Sequence, residues 1–128
     1  MKKSEQAFTI KFNNWLKTSY KGTACFEIKD TRGKDYLPFS EVKEHQIRAL
    51  QVARHNTLVY KISDSAIGFK PFDVFCMTEQ PAYIVIHYPN GFVLITIDIF
   101  VIESKKSKRR SLTWERAQSI AWKVIHSP

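Results

Sequence analysis

Only two cysteines occur in the sequence, Cys25 and Cys76, and neither has a second Cys or a His nearby at zinc-ligand spacing. A disulfide framework and a zinc module are thereby excluded, and both residues read as reduced, buried side chains of a cytoplasmic protein. Long apolar runs are missing too. The longest, Phe92 to Ile102, is interrupted by Thr96 and Asp98 and is too short to span a bilayer. Met1-Lys2-Lys3-Ser4-Glu5-Gln6 leads into an amphipathic pattern and not an apolar leader, so no membrane partner is expected. Acidic side chains are outnumbered, 12 Asp and Glu against 20 Lys and Arg, for a formal net charge of +8. A balance so basic favours a polyanionic partner, of which nucleic acid is the commonest. Internal repeats and a second domain are absent as well. What is present is one domain's worth of chain, 128 residues, 44% hydrophobic and 13% aromatic, enough to bury a core and to exclude wholesale disorder.

The pattern along the chain predicts an α/β protein with helices on a central sheet. Residues 4–18 read as a helix, with Ser4 as N-cap and Phe8, Phe12, Trp15 and Leu16 on one face. Tyr20-Lys21-Gly22 is a turn, and residues 23–29 are a strand. A polar loop from Asp30 to Leu37 leads to a second helix over 40–55, with Ser40 as N-cap and Glu41 and Glu44 in its first turns. Strands are expected at 57–62, 72–77, 83–88 and 91–101, with a loop over 64–71 and a hairpin turn at Pro89-Asn90-Gly91. A basic linker, 104–110, precedes a final helix over 112–125 carrying Trp114, Ala117, Ala121 and Trp122 on one face, which reads as core packing. The expected order is α-β-α-β-β-β-β-α.

The strand Thr23-Ala24-Cys25-Phe26-Glu27-Ile28-Lys29 holds the chemistry. Strand side chains alternate, so Glu27 and Lys29 share one face and Phe26 and Ile28 the other. A carboxylate and an ammonium side by side in so apolar a strand are costly unless paired, hydrated or bound to a ligand. A carboxylate that can hold a divalent metal, beside a lysine that can touch a phosphate or a water, is the core of a metal-dependent nuclease site. The plain alternative is an edge-strand ion pair. A second Glu-x-Lys, Glu41-Val42-Lys43, lies at a helix start, where such residues do not share a face. On the following helix Gln46 falls within the stripe Val42, Ala49, Leu50 and Ala53 and needs partners there, either backbone or the pocket of Glu27 and Lys29. His45 points off that stripe and reads as a surface or capping residue.

Phe26-Glu27-Ile28-Lys29-Asp30-Thr31, a short polar loop, Leu37-Pro38-Phe39, and Glu44-His45-Gln46 opening a helix together resemble the RecU-like Holliday junction resolvases of the PD-(D/E)XK nuclease superfamily. The match covers roughly residues 23–63. The resemblance implies a restriction-endonuclease-like fold with a mixed sheet, Mg²⁺-dependent cleavage of phosphodiester bonds (with Mn²⁺ as an expected substitute), branched DNA as substrate, and a homodimer. One feature departs from it: no Asp lies between Met1 and Glu27, where the family places a metal-binding aspartate. Gly68-Phe69-Lys70-Pro71-Phe72-Asp73 looks like that element displaced to the C-terminal side, a permuted hairpin that would bring Asp73 across the sheet to Glu27. The alternative for Asp73 is a strand-start residue bonding its own backbone. Asp98 and Asp35 are the reserve carboxylates. Glu5, on the first helix, corresponds to a glutamate that reaches the metal in many superfamily members, or simply complements the helix dipole.

The expected site is therefore Glu27 and Asp73 on Mg²⁺, with the Ile28 carbonyl as a third ligand, Lys29 and Gln46 acting on water or phosphate, and Glu5 in support. Arg32, Lys34, Lys105, Lys106, Lys108, Arg109 and Arg110 would neutralise DNA phosphates without reading sequence. The alternatives are a nuclease-fold module that binds DNA without cutting, a nicking or restriction-like nuclease, and an interaction factor whose basic segment contacts RNA or an acidic protein.

Overall fold

A computed structural model describes residues 3–62 and 72–127. The centre is a four-stranded mixed sheet in the order β1-β5-β6-β8: Cys25–Asp30, Ala82–Tyr88, Gly91–Thr96 and Lys123–His126. β1 runs parallel to β5 with Glu27 opposite Ile84 and Lys29 opposite Ile86, while β6 is antiparallel to both β5 and β8. β5 reads Ala-Tyr-Ile-Val-Ile-His-Tyr, almost unbroken in apolar character, because it is central and covered on both faces.

Helix α1 (Lys3–Ser19) covers one face, packing Phe8 and Phe12 on Tyr83, Val85 and Leu94, with Phe26 and Ile28 beside them. Helices α2 (Glu44–His55), α3 (Ile97–Lys106) and α4 (Trp114–Ile120) cover the other, where Leu50, Ala53, Phe100 and Ala117 meet Ile84, Ile86, Tyr88, Val93 and Ile95. The mixed α/β architecture with helices on both faces of a sheet agrees with the sequence reading. None of the described helices is long and apolar enough to cross a membrane. Two small ladders sit outside the main sheet: β2 (Tyr36–Pro38) with β7 (Ser111–Thr113), and β3 (Thr57–Lys61) with β4 (Val74–Thr78).

Several expected boundaries change. The strand expected over 91–101 stops at Thr96, whose partner is Tyr83 near the start of β5, so no neighbouring strand remains to continue it. The chain turns instead into α3, placing Ile97, Phe100 and Val101 on the core. A short apolar run fits a buried strand or helix equally well by periodicity. Lys105 and Lys106 close that helix, so only 107–110 of the expected basic linker is loop. The expected helix over 112–125 is three elements: β7, then α4 started by the Thr113 hydroxyl accepting the Arg116 N–H at 3.2 Å, then β8. Trp122 leaves the helix and is 54% exposed, against Tyr83, while Trp114 packs on Tyr88.

The helix expected from residue 40 is divided. Phe39–Glu41 form a 3₁₀ turn, Val42 is extended, and α2 begins after Lys43. At the other end of the chain, Ser4 lies within α1 and does not precede it. Cys25 is half-buried, but Cys76 is exposed, a correction to the core reading. Its strand stands in a two-stranded ribbon off the central sheet and gains no second cover. The loop expected over 64–71 lies outside the described residues.

Candidate functional site

Glu27 points to the α2 face of the sheet and lines a cavity of about 360 Å³ with Cys25, His45, Gln46, Leu50 and Tyr60. Three elements build it. β1 supplies the carboxylate from a sheet edge. α2 supplies His45 and Gln46 from its first turn. β3 closes the side with Leu58 and Tyr60. Among the described residues neither Glu27 nor Lys29 forms an ion pair. The bland alternative, a Glu27–Lys29 edge-strand pair, therefore has no contact behind it. Burial pushes the Cys25 thiol up from its usual value, so it stays protonated in the cavity wall.

The edge position matters for Ile28. Cys25 N–H donates to Pro81 and Thr31 N–H to His87, at 2.9 and 3.0 Å, so the odd residues of β1 turn their backbone groups toward β5. The even residues then turn theirs to the open edge, and the Ile28 carbonyl is directed there. Gln46 lines the cavity, and its side-chain carbonyl accepts the Lys43 N–H at 2.9 Å. The oxygen caps the helix, the amide nitrogen keeps two donors, and the cavity that Gln46 shares with Glu27 is not lined by Lys29. His45, read from sequence as a surface residue, lines the same cavity. Its position follows from the late start of α2, which the Val42 break imposes.

Asp73 immediately precedes β4, and its carbonyl accepts the Ile62 N–H at 2.8 Å. β4 pairs with β3 and is not part of the central sheet, so Asp73 does not approach Glu27 across that sheet. By alternation it shares the ribbon face of Tyr60 and Phe75, roughly 7 Å further along the ribbon. It lies outside the lining of the Glu27 cavity. Gly68 to Pro71 fall outside the described residues.

The other carboxylates are elsewhere. Glu5 is on α1, across the sheet from Glu27, with its backbone carbonyl taken by the Thr9 hydroxyl at 2.8 Å. Asp98 starts α3 and meets His55 at 3.1 Å and Arg54 at 3.9 Å. Asp35 is exposed before β2. No group of three or more His, Cys, Asp or Glu able to hold a metal occurs among the described residues. No family model, curated protein or solved structure matches the chain.

Beyond Lys29, Asp30 turns to the α1 face. Its carboxylate meets His87 Nδ1 at 3.3 Å and accepts the Arg32 N–H at 3.0 Å. That bond shapes a tight turn in which Arg32 and Gly33 both have positive φ, 57° and 85°, closed by Lys34 N–H on the Thr31 carbonyl. Arg32 and Lys34 are thereby held at the end of β1, with the Lys34 ammonium 5.6 Å from the Tyr36 ring centre. Lys105 and Lys106 at the end of α3, and Lys108, Arg109 and Arg110 after it, form the second basic cluster.

Proposed function

We propose that the protein is a small metal-dependent DNA endonuclease of the PD-(D/E)XK type, resolvase-like, acting at the Glu27 cavity. One observation carries the reading: Glu27 faces a cavity on an edge strand, with no ion-pair partner among the described residues, two residues before Lys29. Its support in the fold is the path from that strand through α2 to a parallel neighbour, β5. This suits a restriction-endonuclease-like arrangement.

The donor set meets the lower limit for Mg²⁺, which takes one or two carboxylates and completes its shell with water and substrate phosphate. Glu27 and the Ile28 carbonyl would hold the ion, Mg²⁺ or Mn²⁺, and Asp73, outside the cavity lining, is not among its ligands. Once bound, such an ion supplies a water of lowered pKa and a polarised phosphate. Lys29, two residues on from Glu27 and outside the cavity lining, would supply positive charge to a phosphate held at its mouth. Gln46 donates its amide N–H to a phosphate oxygen or to water. His45 adds an imidazole to the cavity wall. A homodimer would set two such sites against the two opposed strands of a junction.

A second reading, binding without cleavage, is favoured by a specific observation. Glu27 is the one carboxylate among the described residues that line the cavity.

The deciding experiment is cleavage of a labelled four-way junction and a linear duplex of the same sequence, in Mg²⁺ and in EDTA. Native protein should cut the junction in Mg²⁺ alone, Glu27→Gln should abolish cutting, and Asp73→Asn should leave it. Loss of cutting in Asp73→Asn would return the displaced aspartate to the site. Binding without cutting by the native protein establishes the non-catalytic reading.

A further inference from the structure

A cavity larger than the one that holds Glu27 lies elsewhere among the described residues. It is a groove of about 590 Å³ between the end of α3, strand β7 and helix α4. Lys106, Lys108, Arg109 and Arg116 supply its cations, and Ser111 and Thr113 supply hydroxyls from alternate positions of β7. Leu112, between them, is buried on the opposite side. Cations interleaved with hydroxyl donors are the side-chain set that contacts phosphate and sugar in nucleic-acid complexes.

The groove is built and not merely a surface cluster of charge. Glu103, only 7% exposed, takes both Arg116 Nε and Arg116 Nη2 on its two carboxylate oxygens, at 2.8 and 3.0 Å. This two-point pair fixes the guanidinium plane and neutralises the one buried acid of the wall. The Arg116 hydrogen bonds hold the Glu103 carboxyl below its ordinary pKa, with Lys106 adding to the effect. With Glu103 offset, the remaining acid, Glu115, faces three further cations.

The groove also has a direction. β7 pairs with β2, Thr113 opposite Tyr36, and the pairing extends to Trp114 N–H on the Asp35 carbonyl at 2.7 Å. Lys34 is the next residue. The cationic turn at the end of β1 therefore lies off the same end of the ladder as Thr113. The three-residue ladder spans about 10 Å. That covers about three nucleotides of one strand at their axial spacing of about 3.4 Å.

We propose that this groove seats the sugar-phosphate backbone of DNA and that the seat continues onto the Arg32–Lys34 turn, leading the strand toward Lys29 and Glu27. The proposal rests on the reading of the protein as DNA-directed, though not on cleavage. It adds Arg116, Ser111 and Thr113 to the contact set and makes Glu103 a positioning residue.

The test is fluorescence anisotropy of a short labelled duplex in EDTA, over a series of salt concentrations. Three proteins are compared: native, Lys106→Ala/Lys108→Ala/Arg109→Ala, and a control with the same charge loss, Lys11→Ala/Lys17→Ala/Lys21→Ala, on and just after α1. All six lysines and arginines are exposed, and Arg116 is left in place because it neutralises buried Glu103. The groove variant should bind at least about tenfold more weakly, and its dependence of log K on log salt should be shallower by about 3, while the control changes far less. Equal weakening of the two variants overturns the groove but leaves a DNA-binding protein. A native protein that binds no duplex at low salt overturns the groove and the DNA reading together. Loss of binding in the groove variant, from a native protein that never cleaves, upholds the groove and removes only the nuclease.

Discussion

Residue by residue, the polar groups divide into those that the fold satisfies and those that it leaves open, the buried Thr31 hydroxyl among them. Tyr88 is fully buried and donates its hydroxyl to the Leu112 carbonyl at 2.9 Å, tying β5 to β7. Tyr88→Phe removes one of that carbonyl's two donors, the other being the Leu37 N–H of the β2–β7 ladder, and should cost about 1 kcal/mol, read from urea unfolding. Glu27 is the opposite case, a carboxylate beside apolar neighbours with no ion pair among the described residues. Glu27→Gln breaks no ion pair among the described residues, so its melting temperature should equal or exceed that of the native protein. A marked fall would show that Glu27 is structural. Glu103 titrates in a predictable direction. Its folded pKa lies below its unfolded value because Arg116 stabilises the charged form. The stabilisation is therefore complete above about pH 4.3 and is lost as the pH falls through the folded value. The melting-temperature advantage of native protein over Glu103→Gln should hold across neutral pH and shrink on acidification. A gap that stays constant down to about pH 3 would sink this account.

Among the elements, β6 is held between β5 and β8, and its first residue has no room for a side chain. Gly91 has φ of 148°, and a Cβ there would meet the Ile125 carbonyl oxygen and lie 2.9 Å from His126 Cα. Gly91→Ala must both adopt a strained backbone and push β8 away, for a loss of about 2–4 kcal/mol measured by denaturant unfolding. A loss below about 0.5 kcal/mol would mean that β8 yields easily. β8 itself carries Val124 into the core under α4 and Ile125 into the core under α1. The β3–β4 ribbon is different, since Val59, Tyr60, Val74 and Phe75 all remain exposed on it.

For the molecule as a whole, charge dominates. Net charge is +8, and the two basic clusters flank one end of β1 through the β2–β7 ladder. If about six of these cations meet phosphates, duplex affinity should fall about a thousandfold between roughly 50 and 200 mM salt. A titration that is flat in salt would count against any phosphate-directed function. Such contacts do not read sequence, so the same steepness is expected for unrelated duplexes.

Much of this arrangement was legible in the linear sequence because it depends on local periodicity. The α1 stripe of Phe8 and Phe12, the Pro89-Asn90-Gly91 turn and the opposite facing of Glu27 and Phe26 follow from spacings of 3.6 and 2 residues. So does the α/β class. What local spacing does not encode is which strands become neighbours. Tertiary pairing decided that β4 joins β3 and not the central sheet, which exposes Cys76 and keeps Asp73 outside the Glu27 cavity. The lack of a β5 partner beyond Tyr83 turned Ile97–Lys106 into a helix. The pairing of β7 with β2, seventy-odd residues apart in sequence, put Arg116 and the 107–110 loop beside the Arg32–Lys34 turn. The sequence by itself determined the charge, the α/β class and strongly periodic elements such as α1, because each depends on composition or on residues within a few positions. Only the tertiary structure decided which charged groups share a cavity, because that depends on contacts between distant segments.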